Sequence, residues 1–428
     1  VRADVPSKPT PIPITKKEIW AWCFYDFANS SFTTIIVTVA FSVYFTKVVA
    51  EGHNPEAWWG WGYGASMLIV GIISPILGAL ADYTGTKKNL LIGFSFLCIL
   101  ATFFLFFVEK GDIVLGIFLF AIANIGFNGG LAFYNAFLKD LSLSENMGRI
   151  SGYGFALGYV GGLVSLVLVY PLIQGGLGEE NLFYYRLSFP VTAGFFLIFA
   201  LPSFSYLQER RFFIPNGQAN ASWTIGLRRV WKTFHEIRRY KELFKFFLAF
   251  LIYIDGINTV IVFAGIFAAT VLDFSPKDLI IFFIIMQISA ALGAYAFGFI
   301  NDWIGPKRTI SITLFIWTAL MIWAFFVPSK SQFYFLGLIA GVALGSNQSS
   351  SRTLLGLFAP KEKITEFYGF FSLTGKLAAT IGPPVYGMIT ALTGNQRYAV
   401  LSLIPFFLIG FLILQSVNEE AGNRREQA

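Results

Sequence analysis

Residues 78–88 read GALADYTGTKK, and residues 298–308 read GFINDWIGPKR. Gly78, Asp82, Gly85, Lys87 and Lys88 recur as Gly298, Asp302, Gly305, Lys307 and Arg308, every pair 220 positions apart. Each stretch ends a long apolar segment, supplies one acid, reverses at a glycine and closes on two bases. One charged turn written twice, half a chain apart, points to two equivalent halves in one polypeptide.

The composition says what those halves are made of. Of 428 residues, 56% are hydrophobic, 18% aromatic and only 13% charged; the mean hydropathy is +0.66. Soluble domains carry about 25% charged residues, so most of this chain has lipid as its solvent. Only helices and closed barrels satisfy their backbone polar groups there. Barrel strands alternate apolar and polar residues, whereas LLIGFSFLCILATFFLFFV at 90–108 is apolar all round and reads as helix. Cys23 and Cys98 sit in apolar stretches and read as packing residues. No metal-ligand spacing, P-loop or cofactor fingerprint occurs in the sequence. The expectation is an all-α polytopic membrane protein with no cofactor and no metal, neither an enzyme nor a nucleic-acid binder.

Twelve spans are predicted, near 19–47, 58–82, 89–108, 113–138, 151–173, 188–207, 243–271, 279–303, 309–328, 332–358, 365–391 and 398–416. They divide the chain into a tail (1–18), a six-helix bundle (19–207), a linker (208–242), a second six-helix bundle (243–417) and a second tail (418–428). Twenty-two of the 31 Lys and Arg fall on the side of the N-terminus and six on the other. The positive-inside rule then places both termini in the cytoplasm, of the plasma or inner membrane if the cell is bacterial. The linker holds eight bases and three acids. Within it, 223–240 puts Trp223, Leu227, Trp231, Phe234 and Ile237 on one helical face and Arg228, Arg229, Lys232, Arg238 and Arg239 largely elsewhere, as an amphipathic helix on anionic lipid headgroups would.

Two more repeats follow the same order. Asp26-x-x-Asn29-Ser30 in span 1 matches Asp255-x-x-Asn258-Thr259 in span 7, and Gly126-x-Asn128 in span 4 matches Gly345-x-Asn347 in span 10. The first pair is displaced nine residues more than the turn, which a longer outer loop after span 1 (EGHNPEAW) would absorb. Parallel halves of this kind are transporter architecture, with the solute held between them.

The turn Gly-x-x-x-Asp-x-x-Gly-x-[Lys/Arg]-[Lys/Arg] resembles the signature of the major facilitator superfamily, and the resemblance covers essentially the whole chain. WCFYDFANSSF (22–32), SGYGFALGYVGG (151–162), GSNQSSSRTL (345–354) and FYGFFSLTGKLAATIGPPVYG (367–387) are similar to the "unknown major facilitator" family, related to autophagy-associated vacuolar amino-acid effluxers. The resemblance implies two pseudo-symmetric bundles, a cavity lined by spans 1, 4, 7 and 10, and an amino-acid-like solute.

The residues themselves suggest roles. Gly78 and Gly298 permit close helix packing, and Gly85 and Gly305 permit the reversal. Asp82 could accept from the backbone N–H groups opening span 11, near Thr365, and Asp302 from those opening span 5, near Ser151. These contacts, with Lys87, Lys307 and Arg308 beside them, would form a gate; a topology signal alone is the simpler alternative. Four ionisable residues lie deep in spans: Asp26, Asp255, Arg352 and Lys376. Such residues mark solute or ion paths. With Tyr25, Asn29, Asn128, Asn258 and Gln348 they are the candidate binding residues. Three readings stay open for the charges: contact with a zwitterion, proton coupling, or structural ion pairs. Trp58, Trp59 and Trp61 read as an interfacial anchor, Gly152, Gly154, Gly158, Gly161 and Gly162 as a face for helix sliding, and Gly382-Pro383-Pro384 as a kink in span 11. The expected function is secondary active transport of a small polar, zwitterionic solute by alternating access, with protons as an optional second cargo. A solute sensor on the same fold and a lipid flippase are the rivals.

Overall fold

The computed structural model describes residues 13–210, 223–235, 240–378 and 380–419. Spans 1 to 6 (Lys16–Val49, Pro55–Thr84, Lys87–Phe107, Ile113–Leu141, Met147–Ile173 and Leu182–Tyr206) make one bundle. Spans 7 to 12 (Lys241–Val271, Pro276–Ile304, Pro306–Phe326, Lys330–Phe358, the pair Ile364–Leu377 and Gly382–Thr393, and Gln396–Gln415) make the other. Among the described residues, ten helices are long and apolar enough to cross a membrane. The two exceptions have separate causes. Span 10 runs 29 residues but carries GSNQSSSR at 345–352. Span 11 is broken in two, with Pro383 and Pro384 in the first turn of the second piece. Proline is tolerated there because its missing N–H would be unpaired anyway; the expected kink is a full interruption.

Helix ends explain the loops. Span 1 opens on a capping box: the Glu18 N–H donates to Thr15 Oγ1 (3.3 Å) while Glu18 Oε2 accepts from the Thr15 N–H (3.1 Å). Span 8 opens on the same device at Ser275 and Asp278. Spans 2 and 8 close on Gly85 (φ +66°) and Gly305 (φ +89°), left-handed conformations that favour glycine.

The nine extra residues of the first half are not in its outer loop. Residues 50–54 and 272–275 are nearly equal connections. Seven of the nine sit inside span 1: from Asp26 to the helix end at Val49 is 23 residues, against 16 from Asp255 to Val271. Two stretches of that segment, Phe32–Val39 and Phe45–Val49, are π-helix. The wider i→i+5 turn takes up more residues per length of axis.

A second repeated device closes each bundle. Glu209, after span 6, accepts the Lys88 N–H at the head of span 3. Glu419, after span 12, accepts the Lys307 N–H at the head of span 9 (3.5 Å). Burial holds the Glu419 carboxyl above its usual range, with the Lys307 N–H opposing the shift. The starts of spans 1 and 7 are tied likewise, Glu18 to Arg210 (3.0 Å) and Glu242 to the Asn418 N–H (2.6 Å).

The bundles meet along spans 5 and 8 and along spans 2 and 11. A Cβ on Gly152 would lie 2.4 Å from Ala294 O, and one on Gly369 2.6 Å from Pro75 Cα. Gly158 and Gly161 of span 5 instead serve their own bundle: a Cβ on Gly161 would meet Phe27 O at 2.1 Å. The outer tryptophans divide. Trp58 and Trp61 are exposed, but Trp59 packs on Phe120 (ring centroids 4.2 Å), Phe41 and Phe45 and belongs to the core.

The linker helix, Trp223–His235, lies against span 2. Gly226 faces Ile76, while Leu227 and Trp231 point outward and are exposed. Arg229 reaches the Glu362 carbonyl (3.2 Å), and Lys363 donates to Thr233 Oγ1 (2.8 Å), so the helix also touches the loop between spans 10 and 11. Ile237, Arg238 and Arg239 lie outside the described residues, as do the side chains of Trp223 and Phe234.

Candidate solute site and gate

The repeated turns hold the bundles together at the basic face, the end that carries most Lys and Arg. Asp82 accepts from the N–H groups of Thr365 (3.1 Å) and Glu366 (2.9 Å), at the start of span 11. Gly78, one helical turn before it, lies so close that a Cβ would stand 2.4 Å from Thr365 O. The mirror contact joins Asp302 to the start of span 5: it accepts from the Gly148 N–H (2.7 Å), the Arg149 N–H (3.2 Å) and Arg149 Nε (2.8 Å). Span 5 begins at Met147, four residues before Ser151, so the contact falls on Gly148 and Arg149. The two lysines diverge. Lys87 pairs with Asp140 in its own bundle (2.5 Å), and Lys307 caps span 12 through the carbonyls of Gln415 (2.9 Å) and Val417 (2.7 Å). Arg308 is exposed.

Arg352 is the centre of the interface. It belongs to span 10 and is 1% exposed, yet its side-chain hydrogen bonds all reach across to the first bundle. Nε donates to Ser151 Oγ (3.0 Å), Nη2 to Ser151 O (2.6 Å) and Nη1 to Asn135 Oδ1 (3.2 Å). Asp26 Oδ2 stands 3.6 Å from Nη1. The guanidinium plane lies among Phe155 (4.0 Å to the ring centroid), Trp22 (4.8 Å) and Tyr134 (5.6 Å). A planar cation with donors in a fixed fork suits such a slot. Lys139 adds a second crossing: its ammonium donates to Gly356 O (2.8 Å) and Ala359 O (3.0 Å), the last carbonyls of span 10.

Farther from the basic face the interface loosens into half-buried polar side chains. Ser30, Tyr159, Asn258, Gln348, Ser372 and Lys376 are all of this kind. Tyr159 donates to Gln348 Oε1 (2.6 Å) across the bundles. Asn128 donates to Asn124 Oδ1 (2.9 Å), and the Asn124 amide nitrogen in turn donates to Ser66 Oγ (2.7 Å). Asn29 is buried, with its amide nitrogen unpartnered. Lys376 stands in the last turn of the first piece of span 11 and donates to Ser372 Oγ (2.5 Å).

Not every candidate reaches this region. Tyr25 turns into its own bundle, where its hydroxyl pairs with Ser95 (2.8 Å) and its ring stacks on Tyr134. Asp255 is engaged at the break in span 11: its oxygens accept from the N–H groups of Ile381 (3.2 Å) and Gly382 (3.0 Å). An interrupted helix inside a membrane leaves bare N–H groups, and this carboxylate covers them. The structure thus brings Asp26 to Arg352 and separates both from Asp255. Sequence reasoning missed Trp22, Tyr134, Phe155 and Lys139; the only hint was the run of aromatics around Asp26, which core packing explains equally well.

A family profile described as "Vacuole effluxer Atg22 like" matches residues 62–147 and 139–427. The chain is 29% identical over 414 residues to an uncharacterized MFS-type transporter, YxiO, of Bacillus subtilis (strain 168), covering 95% of this chain and 96% of that one. It is 25% identical over 367 residues to the autophagy-related protein 22 of Kluyveromyces lactis, covering 79% and 74%. Among solved structures, the proton:xylose symporter XylE superposes with a TM-score of 0.71 at 15% identity, covering 94% and 95% of the two chains. The transporter FucP in its outward conformation gives 0.70 at 14% identity, covering 94% and 98%. Two six-helix bundles, the doubled turn and a match running from residue 62 to 427 agree: the chain belongs to the Atg22-like effluxer family of the major facilitator superfamily.

Proposed function

We propose that this protein carries a small polar, zwitterionic solute by alternating access, and that the arrangement described above is the one closed at the cytoplasmic side. The observation that carries the reading is the seating of Arg352 in the first bundle. A buried cation whose hydrogen bonds all cross an interface makes a two-position element: seated, it seals one side; withdrawn, it frees that side and releases Asp26. The two Asp contacts at span starts act with it as latches. The matching family is described as vacuole effluxers, and the same machinery in this chain fits carriage of an amino-acid-like solute. The test is counterflow in proteoliposomes loaded with single amino acids. Accumulation of labelled solute against its own gradient supports a carrier; binding without counterflow for every solute favours the sensor reading.

Proton coupling is supported by one geometry. Asp26 faces a cation that leaves when the bundles part, so its affinity for a proton must change between the two states. The outward face of the linker helix, with Leu227 and Trp231 beside Arg228 and Lys232, supports contact with anionic lipid headgroups.

A further inference from the structure

We propose that Lys376, with Ser372, is the anchor for a carboxylate of the transported solute, and that Arg352 is a lock that never takes that role in the state described. The proposal rests on the carrier reading and assigns its ligand. Arg352 would be the first choice for a carboxylate by chemistry alone, but three of its five N–H donors are held by Ser151 and Asn135 and the Asp26 carboxylate already stands 3.6 Å from Nη1.

Lys376 differs on each count. Other residues of span 11, whose partners are known, locate it on the helix. Gly369 and Leu373 face span 2, Phe371 stacks on Phe250 of span 7, and Tyr368 donates to the Arg352 carbonyl of span 10. At 100° per residue, Ser372 and Lys376 fall between the span 10 and span 2 directions, toward span 4, which packs beside span 11. Leu377, about 100° farther round the helix, is exposed. Lys376 lies about 18 Å along the helix from Ile364, and Asn128 about 20 Å from Leu141, so each stands at a similar depth in its own helix.

Its bonding is unfinished. Among the described residues the ammonium has only Ser372 as partner, through the hydroxyl (2.5 Å) and, at 3.5 Å, the carbonyl. A lysine placed to cap a helix end would reach the last carbonyls; this one turns back one helical turn instead. Because the ammonium donates to Ser372 Oγ, the hydroxyl hydrogen remains to be given, and the ammonium keeps further hydrogens. The two groups stand 2.5 Å apart, and two donors side by side match the two oxygens of a carboxylate. The other positive feature nearby, the N-terminus of the second piece of span 11, is already closed by Asp255. A charge inside a membrane span with no counter-charge of its own is a place where a ligand supplies one.

The experiment is thermal unfolding of the purified full-length protein with L-leucine, L-alanine and isovalerate, and with the primary amides of each. The wild type should be stabilised by at least one acid, at concentrations roughly tenfold lower than its amide needs. Lys376→Gln should abolish the preference for acid over amide, and Lys376→Arg should keep it. Ser372→Ala should weaken acid binding about three- to tenfold, a readout that stands even if Lys376→Gln does not fold. Equal binding of acid and amide by the wild type, a preference that survives Lys376→Gln, or stabilisation by none of the acids overturns the assignment. Carboxylate-selective binding that needs Lys376 but yields no counterflow would sink the carrier reading and leave this site. Counterflow of a carboxylate undiminished in Lys376→Gln would do the reverse.

Discussion

Asp82 of span 2 accepts two backbone N–H groups, those of Thr365 and Glu366, from the first turn of span 11. The contact crosses from one bundle to the other and uses both carboxylate oxygens. Asp82→Asn retains one acceptor oxygen and turns an amide toward the other N–H. The loss of one charge-assisted bond is about 1.5–3 kcal/mol, enough to shift a two-state balance more than tenfold. A single cysteine at Gln348 should therefore react faster with an impermeant maleimide applied from the basic face. Equal rates in Asp82→Asn and its parent would show that the contact does not bias the bundles.

Arg352 and Asp26 form a coupled pair 3.6 Å apart. Arg352→Met leaves the acid buried without its cation, a loss of about 3–5 kcal/mol in the state closed at the basic face. Adding Asp26→Asn removes the stranded charge, so the double variant should be more stable than Arg352→Met alone. The melting temperatures of the four proteins in one detergent give the coupling energy, expected at about 1.5 kcal/mol or more. Strict additivity would mean that the two side chains do not sense each other.

The sequence carried the helices, the halving and the turn, because each is a local pattern: unbroken apolar runs, a repeat in register, and glycine where the chain reverses. It even indicated which helix starts Asp82 and Asp302 approach, since a carboxylate at a helix foot has few other partners. What it could not carry was pairing between elements. Lys139 looked like one more base at a basic face, yet it holds the end of span 10. Asp255 looked like the twin of Asp26 and instead caps a broken helix, because only the second half has a Pro-interrupted span 11 beside it. Seven of the nine surplus residues went into span 1, which is π-helical over two stretches, a choice between backbone states that differ in hydrogen-bond register and leave no mark in composition. Trp59 and its neighbours Trp58 and Trp61 are chemically identical; only the position of Phe120 divides them.

Asp255 makes a separate prediction about local order. Its carboxylate covers the N–H groups of Ile381 and Gly382, so Asp255→Ala bares two donors inside a membrane span. Loss of a helix cap is worth about 1–2 kcal/mol. Amide exchange over 381–386 should accelerate roughly five- to thirtyfold, while the first piece of span 11 stays protected. Acceleration spread evenly over both pieces would mean that Asp255 supports the whole bundle and not this terminus.

The glycines separate folding from closure. A Cβ at Gly161 would lie 2.1 Å from Phe27 O, a contact within one bundle that exists whichever way the protein faces. Gly161→Ala must therefore push spans 1 and 5 apart in every state and lower the melting temperature, by an overpacking penalty of about 1–3 kcal/mol. A Cβ at Gly78 would lie 2.4 Å from Thr365 O, a contact between bundles. Gly78→Ala can relieve the same clash by opening, so its melting temperature should fall much less while the protein abandons the arrangement closed at the basic face. Distances between spin labels on the exposed Leu143 and Trp303, which sit at the basic ends of opposite bundles, should lengthen in Gly78→Ala and stay as in the parent in Gly161→Ala. If both variants lost stability equally and neither changed that distance, the bundles would be one rigid body, and no latch at Asp82 could move them.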